Sequence, residues 1–232
     1  MQRQRDPGAA TPQKRGQTKG VAGAFRKGDR TVTTADETFL AQQEGDLLLQ
    51  LARRTLEAWV EEGRLLSLEG LDLPERLREK RGAFVTLRRG PFLRGCVGYT
   101  ANIKPLAEAV RDNTINAAFR DSRFDPVKAG ELPEITIEIS ALTPGDSPES
   151  PMRAVHSIDE IVIGRDGVCI EGDDQKGGLL LPQVATEHGW STEEFLDAVC
   201  HKAGYPPGAW RDPAYRVYRF SAQVFSESGR QN

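Results

Sequence analysis

The chain of 232 residues carries 31 Lys and Arg against 34 Asp and Glu, with 38% hydrophobic residues, 23 Gly and 14 Pro, which excludes a fibrous, collagenous or wholly disordered protein. That length can bury a core without metal or disulfide staples and is short for two full enzyme domains. Residues 1–30 hold eight Lys/Arg and two Asp, a net +6, which leaves −9 for the body and argues against a nucleic-acid platform there.

The segment from 1 to 40 mixes Gly, Gln, Arg, Thr and Pro with almost no apolar periodicity, so it is expected to be a disordered basic tail. Order is expected from Gly45, where Leu48, Ala52, Thr55 and Trp59 recur at helical spacing. Ala83 to Leu87 and Leu93 to Tyr99 flank Arg88-Arg89-Gly90-Pro91 and read as a β-hairpin. Pro105 then opens a second helix that carries Leu106, Val110 and Ala117 on one stripe.

Ile135, Ile137 and Ile139 alternate with Thr136, Glu138 and Ser140, the pattern of a strand with one apolar and one polar face. Pro144 to Pro151 is a loop, and Ile161–Ile163 with Val168–Ile170 around Arg165-Asp166-Gly167 suggest a second hairpin with an Asp-Gly turn. Leu179–Leu181 is a short strand ending at Pro182. Ser191 and Glu194 form a capping box, flanked by Trp190 and Phe195 as a hydrophobic staple, for a helix that stops at Gly204. In the last strand, Tyr215 to Phe225, the apolar phase slips from Tyr215 and Val217 to Tyr218 and Phe220, which predicts a bulge near Val217. Helices interspersed with hairpins give an α+β fold with a largely antiparallel sheet flanked by helices.

Cys96, Cys169 and Cys200 are odd in number and widely spaced, which suits free thiols in a reducing, cytoplasmic setting. No run approaches the roughly 18–20 apolar residues of a membrane span, and the N-terminus lacks the apolar run of a secretory signal. Phosphate-loop, zinc-helix, Cys-x-x-Cys and dinucleotide motifs are missing, so no cofactor or metal is indicated.

Chemistry concentrates in Leu93-Arg94-Gly95-Cys96-Val97-Gly98. On a regular strand Arg94, Cys96 and Gly98 share one face, so a guanidinium can stabilise the Cys96 thiolate while Gly95 and Gly98 admit a ligand or a second strand. The alternative is a buried structural thiol with Arg94 in an ion pair. Asp121 and Arg123, in a charged stretch after the second helix, can meet an anionic or amide substrate or satisfy each other. Glu138 is a general base if it faces the same cleft, and otherwise an outward, solvated carboxylate. His156, His188 and His201 offer no evident partner for Cys96, and Cys169 and Cys200 are expected to pack in the core.

LRGCVG at 93–98, DSRFDPV at 121–127, EIS at 138–140, GLLLPQVATEHGW at 178–190, EEFLDAVCHKAGYPP at 193–207 and VYRFSAQVF at 217–225 resemble the AMMECR domain, also called AmmeMemoRadiSam system protein A. The resemblance spans roughly 45–228, leaving 229–232 as a C-terminal tail. Val97 stands where the family hexapeptide commonly has Ile, and Asp125 replaces a common Pro in the charged loop. The resemblance implies a compact single domain of two lobes and a part in a three-component system with a Memo-type protein and a radical S-adenosylmethionine enzyme. This chain lacks the Cys-x-x-x-Cys-x-x-Cys cluster motif, so radical initiation would belong to the partner. Two roles follow: an enzyme-like component with Cys96 as nucleophile or covalent tether, bordered by Arg94, Gly95, Gly98, Asp121, Arg123 and Glu138, or a non-catalytic module that holds the partner proteins. Nucleic-acid binding through the basic tail is a weaker third reading.

Overall fold

Alternating apolar residues in the body build one continuous antiparallel sheet, which the computed structural model describes over residues 39–173 and 176–227. The strands are β1 (Ala83–Arg89), β2 (Phe92–Tyr99), β3 (Ile135–Leu142), β4 (Arg153–Ala154), β5 (Asp166–Gly172), β6 (Gly177–Leu180) and β7 (Tyr215–Ser226). They run in the order β2-β1-β3-β7-β5-β6, with β4 beside β7. Helices α1 (Gln42–Glu62), α2 (Glu75–Arg78), α3 (Leu106–Phe119), α4 (Pro182–His188) and α5 (Thr192–Ala203) complete the fold.

Two large apolar cores, with a small third cluster of Leu142, Leu181 and Phe220, mark the expected two lobes. One joins α1 and α3 to Val85, Leu87, Ile137 and Ile139 of the first sheet half. The other joins α5 residues Phe195, Leu196, Val199 and Cys200 to Val168 and Ile170 of β5. β7 belongs to both, pairing with β5 through Tyr215–Ser221 and with β3 through Ala222–Ser226.

The capping box forms as expected: Ser191 Oγ accepts from Glu194 N at 3.3 Å, Glu194 Oε2 accepts from Ser191 N at 2.8 Å, and the helix ends at Gly204. The first hairpin also stands where expected. The fold begins before Gly45: Leu40 is fully buried, and its backbone exchanges two hydrogen bonds with Gln223 at 2.9 and 2.7 Å. The expected basic tail otherwise lies outside the described residues, as does the C-terminal tail 229–232.

Three local expectations are corrected. No strand forms at Ile161–Ile163 and Asp166-Gly167 is no hairpin turn, because Asp166 is fully buried and accepts hydrogen bonds from Val162 N, Arg165 and Ser221 Oγ at the start of β5. β5 instead forms a hairpin with β6. No bulge interrupts β7 near Val217, since its register against β5 is continuous. The apolar phase slips because both faces are covered: Tyr215 and Val217 pack on the α5 core and Phe225 on the α1 core, while Phe220 and Ala222 pack with Leu142 and Leu181. The bulge lies in the first hairpin, where Thr86 pairs with Cys96 and Leu87 with Gly95, but Arg88 pairs with Leu93. Arg94 is the extra residue, so the alternation that put it beside Cys96 is broken.

Candidate functional site

Small side chains let α3 settle closely on β2. Ala107, Ala109, Ala117 and Ala118 are buried along the helix, and a Cβ on Gly95 would lie 2.1 Å from the Ala117 carbonyl oxygen. Gly95 therefore serves helix packing, not ligand access. On the opposite face, Phe84, Thr86, Arg88, Leu93 and Cys96 wall a cavity of about 690 Å³. Leu179 to Leu181 of the other lobe, Gln183, Val184, Glu187 and His188 from α4, Lys202 from α5, and the Arg120–Arg123 segment after α3 line the rest.

Cys96 is partly buried in this wall. Thr86 Oγ1 donates to its sulfur at 3.3 Å. Its backbone points away from β1: the Cys96 N–H donates to Asp121 Oδ2 at 2.8 Å and the Cys96 carbonyl accepts from Arg123 Nη2 at 3.4 Å. The Asp121–Arg123 ion pair, at 2.6 Å, thus stands where a neighbouring strand would bond and closes the edge of β2 at this residue. Arg123 and the Cys96 N–H hold the Asp121 carboxyl down at about 2. Burial pushes the Cys96 thiol up, against opposing help from Thr86, Arg123 and Lys202. Partial desolvation at the cleft wall lowers the ammonium of Lys202, an otherwise exposed residue, while Cys96 raises it.

The structure brings together Cys96, Asp121 and Arg123, and it separates Arg94 and Glu138 from them. Arg94 makes a two-pronged bond to Glu131 at 2.8 and 3.1 Å and lies 6.0 Å from the Phe124 ring centre. That pair holds the Glu131 carboxyl at about 2 and ties β2 to the segment before β3. Glu138 does face the cleft side, next to Thr86 on the neighbouring strand. It lies two strands, roughly 10 Å, from Cys96 and accepts a 2.9 Å hydrogen bond from Gln183 Nε2. It cannot take the thiol proton directly at that range.

Sequence reasoning missed Thr86, Arg120, Gln183 and Lys202. Lys202 had a signal, as a cation one turn beyond Val199 at the border of the apolar side of α5. Four cations (Arg88, Arg120, Arg123, Lys202) meet two carboxylates (Asp121, Glu187) in the lining. Arg88 and Arg123 are paired with those carboxylates, whereas Arg120 and Lys202 hold no ion pair among the described residues. The wall also offers Phe84, Leu93, Leu179 and Val184, so the cleft suits a partly apolar anion. Cys169 and Cys200 are buried, the former pushed up to about 12 by burial. Among the described residues no His, Cys, Asp and Glu group is arranged to hold a metal ion, and no helix is long and apolar enough to cross a membrane.

Fold and site together define an α+β domain whose curled antiparallel sheet carries a thiol in a cation-lined cleft. A family model described as AMMECR1 matches residues 49–225, and the chain belongs to that family. A protein of Methanothermobacter thermautotrophicus is 46% identical over 190 residues, covering 82% of this chain and 97% of the relative. One from Thermococcus kodakarensis is 46% identical over 191 residues, covering 79% and 90%. The crystal structure of an uncharacterised protein from Pyrococcus horikoshii matches with a TM-score of 0.74 at 39% identity, covering 81% of this chain and 93% of that one.

Proposed function

We propose that this protein is the ligand-binding component of a three-part AmmeMemoRadiSam-type modification system, acting with a Memo-type protein and a radical S-adenosylmethionine enzyme. In this reading the cleft binds a partly apolar anion beside Cys96, which is the nucleophile or covalent tether. The observation that carries it is the Cys96 thiol in the wall of a 690 Å³ cavity, with Arg120 and Lys202 holding no ion pair among the described residues. Asp121 and Arg123 act by fixing the Cys96 backbone. With a carbonyl-bearing ligand, the step is a reversible addition. A sulfur–carbon bond forms, the carbonyl π pair moves to its oxygen, and the thiol proton passes to that oxygen.

The test is alkylation of the intact chain, followed cysteine by cysteine. A positive cleft makes anionic iodoacetate label Cys96 faster relative to neutral iodoacetamide than it does for a free cysteine, and added salt erases the difference. An equal ratio, or no labelling of Cys96 before denaturation, overturns the reading. The raised thiol is the observation that favours the alternative, a non-catalytic module for the two partner proteins. That alternative stands if Cys96→Ser leaves both partner binding and the system's output unchanged.

A further inference from the structure

β2 and β6 are the two ends of the sheet, and among the described residues no strand lies beyond either. They approach each other: a second cavity, of about 460 Å³, is lined by Gly98 to Ala101 on one side and Gly177 to Leu179 on the other. It shares Phe84, Leu179 and Lys202 with the Cys96 cavity, so the two form one groove.

Strand pairing shows which backbone groups face that groove. The Cys96 N–H is turned from β1 to Asp121, so Cys96 and Thr86 are a non-hydrogen-bonded pair. Gly98, two residues along and opposite Phe84, is another, and its N–H and C=O also point off the open edge. On β6, the bond from Gly172 N to the Lys176 carbonyl sets the alternation and turns the Leu179 N–H and C=O outward, opposite Cys169. At Cys96 the edge is already occupied by Asp121 and Arg123. An added strand can run along Gly98 and Leu179 and must end there, where Arg120 and Lys202 are free of ion pairs among the described residues.

We propose that the groove accepts the C-terminal segment of a polypeptide as an added β-strand, with its terminal carboxylate held at Lys202 and Arg120 and its last residue beside Cys96. This rests on the Cys96 cleft being a ligand site and names the class of ligand. Main-chain pairing supplies affinity and the cation corner selects a chain end.

The probe is a pool of fluorescein-labelled hexapeptides with free C-termini, compared with the same sequences C-terminally amidated or N-methylated at alternate residues. Binding is read by fluorescence anisotropy on the full chain. Binders are expected to lose about tenfold in affinity on amidation and at least as much on N-methylation, the scale of one charge-assisted hydrogen bond or more. Amide exchange at Gly98 and Leu179 is expected to slow in the complex. Lys202→Ala, an exposed helix change, reproduces the amidation loss with thermal stability unaltered. Absence of binders, or binding indifferent to N-methylation, overturns the peptide proposal. The alkylation ratio of Cys96 separates the two failures: if it keeps its preference for iodoacetate while peptides fail, the anion cleft stands and only the peptide is wrong.

Discussion

Asp121 does the work of a missing strand, and its chemistry is measurable. Its carboxyl is held at about 2, first by Arg123 and then by the Cys96 N–H, against an unfolded value near 3.9. A carboxyl lowered in this way contributes stability at pH values above the unfolded pKa and loses it as pH falls from about 4 to 2. The contribution is at most about 2.6 kcal/mol, reduced by solvent screening around the half-exposed Arg123. Asp121→Asn is therefore expected to flatten the fall of the urea midpoint between pH 5 and pH 2, and an unchanged slope would remove Asp121 from the acid response. Gly95 is the second residue-scale case. Gly95→Ala forces Ala117 and α3 outward and is expected to destabilise by about 3 kcal/mol in urea unfolding. The sequence offered both residues for substrate binding, with an Asp121–Arg123 pair and close backbone packing at Gly95 as alternatives, and could not name the partners Cys96 N–H and Ala117, which are distant in the chain.

At the scale of elements, the best-read piece was α5. Its capping box, staple and glycine stop lie within a short span, so local chemistry alone sets its ends. Ser191→Ala is expected to cost about 1 kcal/mol, seen as a lower urea midpoint with an unchanged slope. The first hairpin was equally legible in outline but not in register. Its bulge is set by Arg94 reaching Glu131, 37 positions away, and by α3 pressing on Gly95. Asp166-Gly167 misled for a related reason. An Asp-Gly pair favours a turn when solvated, but here Ser221 draws the carboxylate into the interior and the pair becomes the first rung of β5.

At the scale of the molecule, β7 makes the two lobes one sheet. Phe220 is fully buried against Leu142 and Leu181 where the lobes meet. Phe220→Ala is expected to cost about 3–5 kcal/mol and to lower a single thermal transition, since no strand boundary lets one lobe melt alone. Two separated transitions would show that the lobes are independent. The curl also explains the groove, because the two sheet ends, β2 and β6, approach each other and both wall the same cavity.

The sequence by itself determined the α+β class, both ends of α5, the apolar faces of β3 and α5, and the special standing of the Cys96 hexapeptide, all of which follow from periodicity or neighbouring residues. Only the tertiary structure decided that Arg94 turns to Glu131, that Asp121 and Arg123 close the edge of β2, and that Lys202 joins Cys96 at one cavity. Those outcomes depend on strand register, on which elements approach across a curled sheet and on which charges lose their water. Such long-range terms leave no periodic trace in the chain.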